Sequence, residues 1–380
     1  MRFPLALGCI ATLNLILACG GGGSSSPPPG NLTLRLGSDS IPGYSSAVVS
    51  LREVDASGDG NLWVNLGAAP ATYDLMALQN GNSVALVSGV SVGSGTYKFF
   101  RFTWDTVNHA NPINLPAYAV DSLGGQHALA MPTSPTVVTG AVTLLPNGSA
   151  TAQVMFSGNQ AIQVRPGATG PVTTFQAAGQ AFDLGQCATI TGNLGAGGLN
   201  GAEAFAETVN GALVATIQRR VFTGSSGNYT LEALPTGSIY FVVSQPAGTT
   251  SAYAAAASAG VDCASAISYG PVDLAFASPQ SPGSLALAIT PPSAATVGTW
   301  GELRQSVATG TAGFQALIVR SQTVATGAAQ DVASFAGLFP GNYGCTAQRS
   351  TAGAAPVMAV GTQIPVLAGA TANGSITYAQ

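Results

Sequence analysis

The sequence predicts an all-β chain: tandem antiparallel β-sandwich domains behind a cleaved signal peptide and a flexible linker. Three observations carry this expectation. Apolar residues alternate with period two in short runs, as in Asn31-Leu32-Thr33-Leu34-Arg35-Leu36. Turn residues (Gly, Asn, Pro) punctuate those runs about every 8–12 residues, the rhythm of a sandwich rather than of alternating strands and helices. A turn-and-strand motif in the second half, Leu234-Pro235-Thr236-Gly237-Ser238-Ile239-Tyr240, returns as Leu338-Phe339-Pro340-Gly341-Asn342-Tyr343. The separation is about 100 residues, the size of one small sandwich.

Composition narrows the function classes. Charged residues make up 7% of the 380, against about 25% in an ordinary soluble domain. The net charge is -4, with one lysine, Lys98, and no basic stripe, so nucleic acid is not an expected partner. A hydrophobic fraction of 46% argues against disorder.

Residues 1–18 read as a signal peptide, with Arg2 as the positive start and Pro4 to Ala18 as the apolar stretch. The stretch ends in Ile16-Leu17-Ala18-Cys19, which resembles a bacterial lipobox. That resemblance implies lipid attachment at Cys19 after cleavage. Gly20, where an Asp would mark inner-membrane retention, implies an outer-membrane lipoprotein, facing the periplasm or the cell surface. Residues 19–30 form the anchor and linker; Gly20 to Gly30 (GGGGSSSPPPG) cannot pack. As a coil the linker reaches about 20 Å, enough to clear a headgroup layer.

Residues 31–180 are expected to form a first β-sandwich. Its strands include Ser46 to Val54, Asn61 to Leu66 and the aromatic run Thr96 to Trp104. Tyr73 to Asn82, Gly95-Thr96-Tyr97 with Arg101, and His127 to Ser134 resemble an uncharacterised domain family common in bacterial lipoproteins, a domain of unknown function. Residues 183–278 form a second unit. Ser226-Gly227-Asn228-Tyr229-Thr230-Leu231 with Leu234 to Tyr240 resembles the carboxypeptidase regulatory-like (transthyretin-like) sandwich. Residues 283–380 are a degenerate third repeat. The best helix candidate, Gly201 to Arg220, is interrupted by Asn210-Gly211, a hairpin-favouring pair.

Few residues point to chemistry. Trp104-Asp105-Thr106-Val107-Asn108-His109 combines an aromatic with polar groups, so Trp104, Asp105, Asn108 and His109 are candidate ligand-binding residues, suited to a sugar. The alternative is a core Trp followed by a polar loop. Asp55-x-Ser57-x-Asp59-Gly60-Asn61 imitates a calcium loop, but its twelfth position is Leu66, and a hairpin turn explains the same residues. Gly89-Val90-Ser91-Val92-Gly93 fits G-x-S-x-G without the strand–turn–helix setting of a nucleophile elbow. Glu203 and Glu207 share one face of a strand and read as solvated. Cys187 and Cys263 bracket the second unit, and a disulfide between them is expected in an oxidising envelope; Cys345 is left over as a buried thiol.

The expectation is therefore a non-enzymatic, lipid-anchored envelope lipoprotein acting as a structural and interaction module. It has no catalytic residues, no metal and no cofactor. Its partners are the membrane through acylated Cys19 and an envelope protein or glycan. A carbohydrate-binding lipoprotein is the alternative, and a serine esterase using Ser91 a remote one.

Overall fold

The structure, a computed structural model, describes residues 27–378 apart from 112, 168–169, 196–200, 225, 248–249, 291–297, 311–312, 325–330 and 351–356. The signal-peptide stretch, Cys19 and most of the linker lie outside the described residues. All regular structure described is β, apart from two short 3-10 turns, Leu75–Ala77 and Leu184–Gln186.

The first body runs from Gly30 to Asp183. It is one 13-stranded sheet folded round a single core, rather than two separate sheets. Its central strands are Tyr44–Ser57, Gly95–Trp104, Thr136–Leu144, Gly179–Asp183, Ser149–Phe156 and Gly30–Ser38, in that order across the sheet. Period two works as the sequence predicts: Leu32, Leu34 and Leu36 all face the core. Phe102, Trp104, Phe156 and Phe175 form an aromatic cluster inside it, with ring centroids 5.0–6.1 Å apart. The sheet is mixed rather than purely antiparallel. Gly30–Ser38 runs parallel to Ser149–Phe156, with Asn31 opposite Ser149 and Ser38 opposite Phe156. A parallel ladder needs a long crossover, and the intervening strands supply it.

The next two bodies share one pairing scheme. In the second, Cys187–Asn193 lies between antiparallel Asn228–Pro235 and parallel Ser268–Tyr269. Glu203–Val209 lies between Ala215–Phe222 and Ser238–Ser244. In the third, Gly283–Thr290 lies between antiparallel Asp331–Leu338 and parallel Thr371–Thr377. Gly298–Ala308 lies between Phe314–Val324 and Gly341–Ser350. The repeated Pro-Gly-Tyr motif performs the same task in both. Tyr240 is buried and its hydroxyl donates to the Pro235 carbonyl at 2.7 Å. Tyr343 is buried and donates to the Phe339 carbonyl at 2.6 Å. Each ring fills its core while the hydroxyl ties down the preceding turn.

The helix candidate is a hairpin. Glu203–Val209 and Ala215–Phe222 are joined by a turn in which Asn210 Oδ1 accepts from the Ala212 and Val214 amides, both at 3.0 Å. The asparagine side chain satisfies the turn's own donors, so the chain reverses where a helix would have continued.

Cys187, Cys263 and Cys345 are free thiols, so the expected Cys187–Cys263 bridge is not formed. The two side chains belong to different clusters. Cys263 is in the core of the second body. Cys187 packs beside Met155, Phe182 and Ala233, where the second body meets the first. Burial pushes both thiols up to about 11, away from reactivity.

Candidate functional site

The Trp104 loop divides its residues between two environments. Trp104 turns into the aromatic cluster, and its indole N–H donates to Thr136 Oγ1 at 2.9 Å. The polar residues turn onto their own loop. Asn108 is buried; its Nδ2 donates to the Leu115 carbonyl at 2.8 Å, and its Oδ1 accepts from the Ala110 and Asn111 amides. His109 Nε2 lies 2.8 Å from Asp105 Oδ2. Burial pushes the Asp105 carboxyl up, but bonds from His109 and from the Thr106 and Val107 amides outweigh it and hold the group below its ordinary value. The indole therefore packs against core rings, while the polar groups bond within their own loop.

The other sequence candidates are also occupied locally. Asp55 is paired with Arg101 at 2.8 Å and accepts from Asn65, while Asp59 Oδ1 accepts from the Asn61 and Leu62 amides at 2.9 Å. Those carboxylates build a hairpin. Among the described residues no group of three His, Cys, Asp or Glu side chains is placed to hold a metal. Ser91 lies within the strand Val84–Val92 at one end of the sheet order, with no turn into a helix after it. His127 lies on a strand towards the other end and pairs with Asp121 at 2.8 Å.

A buried cluster of charged and polar side chains lies where the three bodies meet. Arg220, on the second body, is 1% exposed. Its Nε donates to Glu203 Oε1 at 2.8 Å, its Nη1 to Asn159 Oδ1 on the first body, and its Nη2 to Glu203 Oε1. Nη2 also reaches the Ser321 carbonyl on the third body at 3.3 Å. Ser321 Oγ donates to Asn159 Oδ1 at 3.1 Å, and Ser40 Oγ to Glu203 Oε1 at 2.8 Å. Backbone bonds add to this: the Ser40 amide donates to the Arg220 carbonyl at 2.9 Å, and the Arg220 amide to Asp39 Oδ1 at 3.3 Å. A planar guanidinium can address acceptors on three bodies at once, which an ammonium could not do with the same fixed geometry.

Two acids near this seam have their carboxyl pKa raised. Burial raises Asp39, although Arg219 and two backbone amides oppose it. Glu207 is fully buried between the second and third bodies, and its Oε2 accepts from the Ile318 amide at 3.0 Å. Burial raises Glu207 well above its usual value. The solvated reading of Glu203 and Glu207 is thus corrected. Their face is covered by the third body, whose core takes in Phe205, Ala215, Phe241 and Val243 of the second. A signal was present in the sequence: Phe205 sits between the two glutamates on a face read as wet, while Ala204 and Ala206 line the other face.

Residues 30–171 match the family model described as a domain of unknown function, DUF4382. This is the stretch in which the sequence resembles such a domain, and it spans less than half the chain. No curated protein matches. Among solved structures, shaft pilin SpaA from Lactobacillus rhamnosus GG aligns at 9% identity and a TM-score of 0.18, over 51% of this chain and 98% of the pilin. The TIE protein of Bacillus anthracis aligns at 12% and 0.17, over 91% of this chain and 50% of that one. A minor pilin of Streptococcus agalactiae aligns at 13% and 0.17, over 51% and 97%. Likenesses this slight carry no functional argument.

Proposed function

We propose that this chain is a lipid-anchored lipoprotein of the bacterial envelope, and that its three β bodies form one non-enzymatic structural and interaction module. The observation that carries the module is the Arg220 junction. One buried side chain bonds acceptors on all three bodies, and the second and third share a core. Inter-domain contacts in a flexible string of beads are small and polar; here they are buried and interlocked. The anchor rests on the lipobox-like Ile16-Leu17-Ala18-Cys19, and Gly20 supports the outer membrane as its location. The tandem pairing scheme of the second and third bodies is the basis for reading both as regulatory-like sandwiches.

Metabolic labelling with palmitate tests the anchor. The wild-type chain takes up label and sediments with membranes, whereas Cys19→Ala does neither. A wild-type chain without label, or label that survives Cys19→Ala, overturns the assignment.

A further inference from the structure

The strand registers place four features at one end of the first body. Gly30 lies opposite Val92, Asn31 opposite Ser149 and Gly95 opposite Leu144. Ser57 lies opposite Phe99, so the hairpin tip at 58–63 projects at the same end as the turns at 93–94 and 145–148. The chain enters there too: the Pro29 carbonyl accepts from the Asn147 amide at 3.0 Å. The opposite end of these strands, at Ser38 to Ser40 and Phe156, faces the Arg220 junction.

This entry end shows large apolar side chains to solvent. Leu62 is 78% exposed and Leu145 66%. Between them in character is Trp63, half-buried, with the Arg101 guanidinium 4.4 Å above its ring. Lys98, the lysine of this chain, is exposed on the adjoining strand. Aliphatic tips backed by Trp, Arg and Lys are the composition of a membrane–water interface, where an indole and the long cationic stems sit at headgroup level.

The occupant follows from where the linker begins. Nine residues, Gly20 to Pro28, separate Cys19 from Pro29 at this end, and a Gly/Ser/Pro sequence of that length has a reach of about 15–18 Å. A bilayer holding acyl chains on Cys19 is therefore within touching distance of Leu62 and Leu145. We propose that the entry end of the first body docks on that phospholipid bilayer, with Leu62 and Leu145 at the acyl–headgroup boundary and Trp63 beside them. This rests on the lipid-anchor reading and adds an orientation to it: the long axis of the first-body strands stands on the membrane, and the Arg220 junction points away.

The chain has three tryptophans, Trp63, Trp104 and Trp300; Trp104 lies in the aromatic cluster and Trp300 is buried. Trp63 can therefore report contact with lipid. The mature full-length protein is reconstituted with phosphatidylcholine vesicles, plain or brominated on the acyl chains, and floated, while its intact mass is measured. The expected result is flotation, quenching by bromolipid, and loss of that quenching in Trp63→Phe. Leu62→Asp/Leu145→Asp, at two exposed side chains, floats as before and keeps the wild-type circular dichroism but loses most of the quenching. Flotation without quenching, or quenching that persists in Trp63→Phe, refutes the docking while leaving the anchor standing. Trp63 shielded from acrylamide yet silent to bromolipid means that a protein surface or a second copy covers this end, which also refutes it. A chain that carries no acyl mass and does not float refutes the anchor itself, and the docking with it.

Discussion

Replacing Arg220 with Met removes the guanidinium while keeping a long side chain in its space. Three acceptors lose a donor: Glu203 Oε1, Asn159 Oδ1 and the Ser321 carbonyl. Two of them keep a second one, since Ser40 Oγ still donates to Glu203 and Ser321 Oγ to Asn159. Removing one member of a buried pair costs about 3–5 kcal/mol. The Glu203 side chain is 11% exposed and can be rehydrated, so the lower figure, about 3 kcal/mol, is expected. With about 2.1 cal/mol/K of unfolding entropy per residue over roughly 350 residues, that lowers Tm by about 4 °C. Scanning calorimetry of the full chain in detergent at neutral pH reads the shift. If the three bodies melt as one unit, a single transition moves. A Tm within about 1 °C of wild type would mean that the junction contributes no more than a surface ion pair, and the argument for one interlocked module would fail.

Two further outcomes follow from the same packing. Glu207 has its folded-state pKa raised by burial well above the ordinary 4.5, so the folded protein binds a proton that the unfolded chain releases. Its contribution is fully present below the unfolded value and is lost as pH rises towards the folded one; Glu207→Gln should flatten the decline in urea midpoint as pH rises above the ordinary carboxylate range, and an unchanged slope would contradict the assignment. Tyr343→Phe removes the bond to the Phe339 carbonyl and the acceptor for Gln245 Nε2 at 2.9 Å, costing about 1–2 kcal/mol in equilibrium unfolding; no loss would show that the turn does not need its tether.

How much of this could be read from residues alone depended on the distance over which each feature is determined. Leu32, Leu34 and Leu36 declare a strand because their spacing is itself the geometry. The Pro-Gly-Tyr motif marks a turn followed by a core tyrosine because one peptide segment contains both partners of the hydrogen bond. Asn210-Gly211 marks a hairpin for the same reason. The Trp104 loop was legible as a composition but not as an arrangement, because only the aromatic neighbours Phe156 and Phe175, some 50 and 70 residues on, show which way the indole turns. The junction was illegible: Arg220 bonds residues 61 and 101 positions away, and no local pattern pairs them. Glu203 and Glu207 looked wet because a strand with acids on one face normally meets solvent, and nothing nearby in sequence announces that another body covers it.

The parallel ladders that complete the second and third bodies have a consequence for biogenesis. Gly283–Thr290 cannot gain its flanking partner until Thr371–Thr377, near the other end of the same body, has folded onto it, and Cys187–Asn193 waits likewise for Ser268–Tyr269. Each of these two bodies therefore begins with a strand whose edge stays unsatisfied until its last segment joins the sheet. Folding intermediates expose open sheet edges until that segment joins, so a chaperone that shields such edges has a window in which to act, and truncation before residue 371 leaves the third body unclosed.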